Sequence, residues 1–247
     1  MAYNYKFTLT SVNPAVFSPQ FYSPEMTFIE NTDDDKPSFY TFTSEHLDEL
    51  TDAQEVWARG KFLLAMFKGA HIITYEPVFD NYRAANLNLI RLYRGDSDIT
   101  PSNSVFIVPS RTFGTLNAIL IANADEWIAN NPVSGMIQAA VNDVKAQNIL
   151  LQIGFGIDWI NLYAILDSIK FYAGQQGFKD ILRVAGYTEK QVKAFKGTVN
   201  NFGLLSVSSR HGDLGTRIPS DTMDLIEARS LILALARGYF NVIHQIN

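Results

Sequence analysis

Apolar positions change their period partway along the chain. Up to about residue 128 they alternate or cluster over short spans: "YKFTLT", "MTFIE" and "SFYTFT" mix aromatic and β-branched residues, with Pro14, Pro19, Pro24 and Pro37 between them. Successive side chains of a strand point to opposite faces, so such runs, punctuated by proline, predict strands and turns. One helix interrupts them. Thr51-Asp-Ala-Gln54 has the spacing of a capping box, and Val56, Trp57, Leu63, Leu64 and Phe67 give the segment that follows a thick apolar face. "NLNLIRLYR", "SVFIVPS" and "LNAILIA" then return to strand-like composition.

Beyond Asn131-Pro132 the period becomes helical and stays so. Val133, Met136, Ile137, Ala140, Val141 and Val144 follow the i, i+3, i+4, i+7 rule, and Leu162, Ile165, Leu166, Ile169 and Tyr172 repeat it after a helix break at "GFGIDW". A short helix is expected around Phe178 to Val184. Thr188 with Gln191 caps a further one, with Val192, Phe195, Val199 and Phe202 inward, and Asp224 to Glu227 opens the last. The pattern therefore predicts an α+β fold class: a mixed α+β N-terminal domain over residues 1–128, then an all-α helical bundle over 129–247. The "DDDK" run at 33–36 reads as a solvated turn.

Composition narrows the chemistry. The 247 residues are 47% hydrophobic and 18% charged, as expected for a chain that packs a core of its own. Cysteine is absent, which excludes disulfides, thiolate zinc sites, iron–sulfur clusters and cysteine nucleophiles and fits a cytoplasmic protein. The N-terminus lacks a basic start followed by an apolar core, and runs such as "LLAMF" and "LILALA" fall short of the roughly twenty residues a membrane span needs. Neither secretion nor a membrane is expected. No Walker loop, dinucleotide fingerprint, HExxH or GxSxG occurs, and His46 and His71 lack carboxylates at ligand spacing, so no cofactor and no metal are expected.

The net charge of −5 argues against a general nucleic-acid coat, but it hides an asymmetry. Residues 1–130 hold 9 Lys/Arg against 16 Asp/Glu, whereas residues 131–247 hold 11 against 9. Binding to a nucleic acid would then depend on local clustering. The helix after Thr188 offers such a cluster. At about 100° per residue, Lys193, Lys196 and Asn200 share an arc about 60° wide beside the apolar arc. That edge leads into Ser208-Ser209-Arg210-His211. Lysine and arginine neutralise phosphate oxygens and histidine passes protons near neutral pH, so Lys193, Lys196, Asn200 and Ser209 are candidate contacts to a phosphodiester and Arg210 and His211 a candidate catalytic pair. Lysines on a helix edge are also ordinary solvation.

A second pair lies in "RGYFNVIH", where Arg237 and His244 are seven steps apart and fall within about 20° of each other on the helix. Their stripe is expected to face solvent, or a partner copy in a symmetric dimer. The same two residues also suit a helix C-terminus, where cations offset the macrodipole.

The order "NPVSGMIQAAV", "DWINLYAILDSI", "ILRVAGYT", "VKAFKGTVNNF", "SRHG" and "MDLIEARSLILAL" over residues 131–247 resembles HEPN-type helical domains. The resemblance implies a metal-independent RNase or RNA-binding module of toxin–antitoxin or phage-defence systems, acting as a homodimer with arginine and histidine at its interface. Members with RNase activity usually separate the two by four to six residues, a spacing that Arg237 and His244 match, whereas Arg210 and His211 are adjacent. The expected reaction is transesterification of RNA, to which DNA is resistant. The competing expectation is a non-catalytic protein whose bundle mediates assembly. Ten aromatic residues within the first 45 positions form either a sheet core or a groove for a protein partner.

Overall fold

The computed structural model describes residues 4–10, 25–33, 36–75, 83–102, 108–109, 112–114, 131–212 and 217–246. Its N-terminal part is an antiparallel sheet of β1 (Tyr5–Leu9), β2 (Thr27–Asp33), β3 (Lys36–Thr43), β4 (Leu89–Arg94) and β5 (Ser97–Asp98), in spatial order β2-β3-β1-β4-β5. The three aromatic runs are thus strands, and "NLNLIRLYR" supplies the fourth. "LNAILIA" and most of "SVFIVPS" lie outside the described residues.

Register explains the aromatic bias. Phe28 pairs with Phe42, Phe42 with Phe7, and Phe7 with Leu92, which lines one row across the sheet. That row faces α1 (Ala53–Tyr75), with Phe28 4.5 Å from Phe67 and Phe7 5.7 Å from Trp57 between ring centroids. The capping spacing at Thr51 is one residue off. The Asp52 carboxylate accepts from the Glu55 N–H and the Asp52 carbonyl from the Val56 N–H, so Asp52 is the cap.

The helices follow as α2 (Pro132–Asn142), α3 (Val144–Phe155), α4 (Trp159–Ala185), α5 (Glu189–Val199), the single turn α6 (Phe202–Leu205) and α7 (Leu225–His244). Asn131, Asp143 and Asp158 cap α2, α3 and α4, and full capping boxes open α5 at Thr188–Gln191 and α7 at Asp224–Glu227. Each cap satisfies N–H groups that the first turn leaves without a partner.

Instead of one apolar face, α1 is buried nearly all round, because the sheet covers one side and α2, α3 and α7 the other. At the crossing with α3 the backbones touch. A Cβ on Gly69 would strike the Leu150 carbonyl, and one on Gly154 the Ala65 carbonyl. The apolar cluster runs without interruption from the sheet through α1 into the bundle, so a division near residue 128 does not separate two cores. Among the described residues no helix is long and apolar enough to cross a membrane.

The helix expected near Phe178 is the second arm of α4. Gly174, at φ 67° and ψ 179°, occupies a region that only glycine populates readily and breaks α4 into arms of 159–173 and 175–185. The kinked helix packs along α7, and its second arm comes close at Gly238, where an added Cβ would lie 3.2 Å from Ile181.

Beneath the sheet, Arg59 is 2% exposed and donates to the His46 carbonyl and, at 2.7 Å, to Glu49 Oε1. His46 is fully buried, with Nδ1 3.1 Å from both N and O of Gly114. Burial pulls its pKa from 6.5 to about 4, against a partly offsetting bond to Gly114. The unfolded chain therefore takes up this proton first. The contribution to stability is intact above pH 6.5 and is lost as pH falls from 6.5 towards 4, by up to about 3 kcal/mol. Chemical denaturation at pH 7, 5.5 and 4.5 should show that decline, and His46→Gln should flatten it. An unchanged slope in the variant would assign the acid sensitivity to other groups.

Candidate nucleic-acid interface

The apolar arc of α5 is buried at Val192, 5% exposed, and at Phe195 and Val199, both 0%, whereas Phe202, expected on the same arc, begins α6 and is half-buried. Trp159 stacks on Phe195 and ties α5 to the start of α4. The neighbouring arc is thereby turned outward. Lys193, Lys196 and Asn200 border a cleft of about 480 Å³ that Lys190, Pro219, Ser220 and Asp221 complete. Lys193 is exposed and pairs with no carboxylate among the described residues. Lys190 lies 3.5 Å from Asp221, and Lys196 lies 3.6 Å from Asp167, distances at which partly exposed pairs contribute little. Asn200 ends α5, and its Oδ1 is shielded and unpartnered.

The loop after α6 joins this face through Tyr163 of α4. The Arg210 guanidinium carbon lies 4.1 Å from the centre of the Tyr163 ring and Lys196 Nζ 5.4 Å from it, so one aromatic side chain organises two cations. The Arg210 N–H donates to the Val199 carbonyl at 2.8 Å, which pins the loop to the end of α5. Stacking occupies a face of the guanidinium and leaves its in-plane donors for an anion. His211 is exposed beside it. Ser209 differs from its expected role as a phosphodiester contact. It is buried, and its hydroxyl donates to the His211 carbonyl at 2.6 Å, so its proton serves the loop's own geometry.

Arg237 and His244 are placed elsewhere, and the expectation of a solvent-facing stripe needs correction. The Arg237 Nε donates to the Ile73 carbonyl at 3.1 Å, and Nη2 donates to the carbonyls of Ile73 and, at 2.9 Å, Thr74. Those carbonyls are at the C-terminal end of α1, where no helical N–H reaches them, so a fork of fixed donors satisfies them. His244 packs on the rings of Tyr239 and Phe240 with Nε2 3.4 Å from Asp143 Oδ2, near enough for attraction but not aligned as a hydrogen bond. Burial lowers its pKa and Asp143 partly restores it. Neither residue borders the α5 cleft.

Arg237→Ala should therefore act on stability. Losing charge-assisted bonds to helix-end carbonyls costs about 2–3 kcal/mol, visible as a lowered midpoint in urea. A variant with an unchanged midpoint would reopen a role for Arg237 in chemistry.

Tyr163 had no signal in the sequence, since the loop contact that recruits it is tertiary. Compared with family models, curated proteins and solved structures, the chain matches none, and the site is read from its own residues.

Proposed function

We propose that the protein is an RNA-directed effector that grips the phosphate backbone of a single strand along the outward face of α5. The observation that carries this reading is the Tyr163 platform. It brings Arg210 and Lys196 to one ring, Lys196 borders the same cleft as Lys193, and Arg210 and Lys193 have no carboxylate partner among the described residues. Phosphate binding in a protein of net charge −5 needs such local surplus, since the overall field opposes it. Arg237 and His244 are engaged within the chain. Cleavage therefore falls to Arg210 and His211: the imidazole takes the 2′-hydroxyl proton as that oxygen attacks phosphorus, the P–O5′ bond breaks, the imidazolium returns the proton to the leaving 5′-oxygen, and the guanidinium stabilises charge on the phosphoryl oxygens, leaving a 2′,3′-cyclic phosphate. The HEPN-like resemblance adds the setting, phage defence or toxin–antitoxin control, and a homodimer.

Incubating the purified chain with 5′-hydroxyl single-stranded RNA and with DNA of the same sequence in EDTA tests the proposal. RNA should be retained near 50 mM salt and released towards 200 mM, with any cleavage confined to RNA and lost in His211→Ala but not in His244→Ala. Failure to retain RNA at low salt, or cleavage lost only with His244, would overturn it. The competing reading, a non-catalytic assembly protein, is favoured by Phe171 on α4, which is 83% exposed. It predicts a stable oligomer and no RNA retention.

A further inference from the structure

A second, inner cleft lies between α5 and the two arms of α4, shares Lys193 and Lys196 with the outward one, and depends on the break in α4. In a straight helix Lys170 and Lys179, nine residues apart, would point about 180° from each other. Gly174 turns the chain between them, and both then line one cleft of about 430 Å³ together with Lys193 and Lys196 of α5. Three helical segments thus contribute four lysines to the lining of one cleft, of which Lys196 also lies 3.6 Å from Asp167. Glu189 is the one carboxylate in the lining. Among the described residues, Lys170, Lys179 and Lys193 have no ion-pair partner. Lys170 Nζ instead sits 5.1 Å from the centre of the Phe178 ring.

Four lysines held around a concave space repel one another, and a multiply charged anion relieves that repulsion. Lysine supplies three donors without a fixed plane, which suits a cluster of phosphoryl oxygens better than one planar carboxylate. The volume falls in the range of small-molecule sites. We infer that the cleft between the two arms of α4 and α5 binds condensed phosphates, as carried by a nucleoside triphosphate or by the triphosphorylated 5′ end of an RNA. It goes beyond the backbone contacts of the outward face and does not require them, since Lys170 and Lys179 belong to the inner cleft alone.

Inorganic tripolyphosphate is the probe, followed by calorimetric titration near 100 mM salt. One equivalent should bind saturably, with affinity at least tenfold weaker in Lys170→Gln/Lys179→Gln and within twofold of the parent in Arg210→Ala. Thermal melting of the variants, both altered at exposed or partly exposed lysines or at exposed Arg210, reports that they remain folded. ATP, 5′-triphosphate RNA and 5′-hydroxyl RNA are then compared. Tighter binding of ATP assigns the site to a free nucleotide, and tighter binding of the triphosphorylated RNA over its hydroxyl counterpart assigns it to an RNA end. Absence of saturable tripolyphosphate binding, or binding equal in the double variant, would overturn the inference. Retention of 5′-hydroxyl RNA by the double variant keeps that failure separate from failure of the outward face.

Discussion

Gly154→Ala should lose about 3 kcal/mol or more of folding stability, and Gly154→Leu should not reach a cooperatively folded state. The added Cβ would meet the Ala65 backbone carbonyl, and backbone inside two crossing helices has no rotamer through which to yield. Gly69 makes the reciprocal approach to Leu150 one contact away, so relief by sliding α3 along α1 is blocked. Overpacking in a yielding core costs about 1–3 kcal/mol, whereas here either the helices separate or the α1 core opens to water. Gly212→Ala is the matched control, because nothing lies within 4 Å of the added carbon. Urea denaturation checks the pair. A Gly154→Ala midpoint equal to that of Gly212→Ala would mean the crossing is looser than described.

The second large effect concerns binding. Lys193→Glu with Lys196→Glu should weaken single-stranded RNA at least 100-fold, about 3 kcal/mol, since two attractive charges become repulsive beside Asp167 and Asp221. Folding should change little: Lys193 is exposed, and the Lys196–Asp167 pair at 3.6 Å is a weak surface contact. Reversing exposed Lys145 on α3 alters net charge by half as much away from this face and should leave affinity within a few-fold. Fluorescence anisotropy with labelled RNA distinguishes them. Equal losses in both would reduce the effect to overall charge.

Local rules carried most of the fold. Alternation in "YKFTLT" and "SFYTFT" predicts β1 and β3 because the pleat gives a two-residue period, and Thr188–Gln191 predicts the start of α5 because a capping box closes within four residues. The same reasoning misplaced the α1 cap by one residue, where Thr51 and Asp52 both have suitable side chains. It also predicted one apolar face on α1, whereas burial of a central helix depends on the layers placed either side of it.

The site was less legible for the same reason. The basic edge of α5 follows from helical rotation alone, so Lys193, Lys196 and Asn200 emerge together. Tyr163 belongs to another helix, and nothing near residue 163 announces a loop forty-seven positions later. Arg237 shows the opposite error. Its spacing from His244 resembles a catalytic pair, yet its donors are taken by carbonyls 164 residues away, a contact that spacing cannot convey. Lys170 and Lys179 meet only because Gly174 bends the helix between them.

The most direct test of the outward face as a phosphate-binding surface is the salt dependence of RNA affinity in the parent and in Lys193→Gln/Lys196→Gln. Each phosphate neutralised on a single strand contributes about −0.7 to the slope of log K against log salt. With Lys190, Lys193, Lys196 and Arg210 engaged, the parent should give a slope of about −2 to −3, and the double variant one shallower by about 1.4. A parent slope near zero, or equal slopes in the two proteins, would contradict the account.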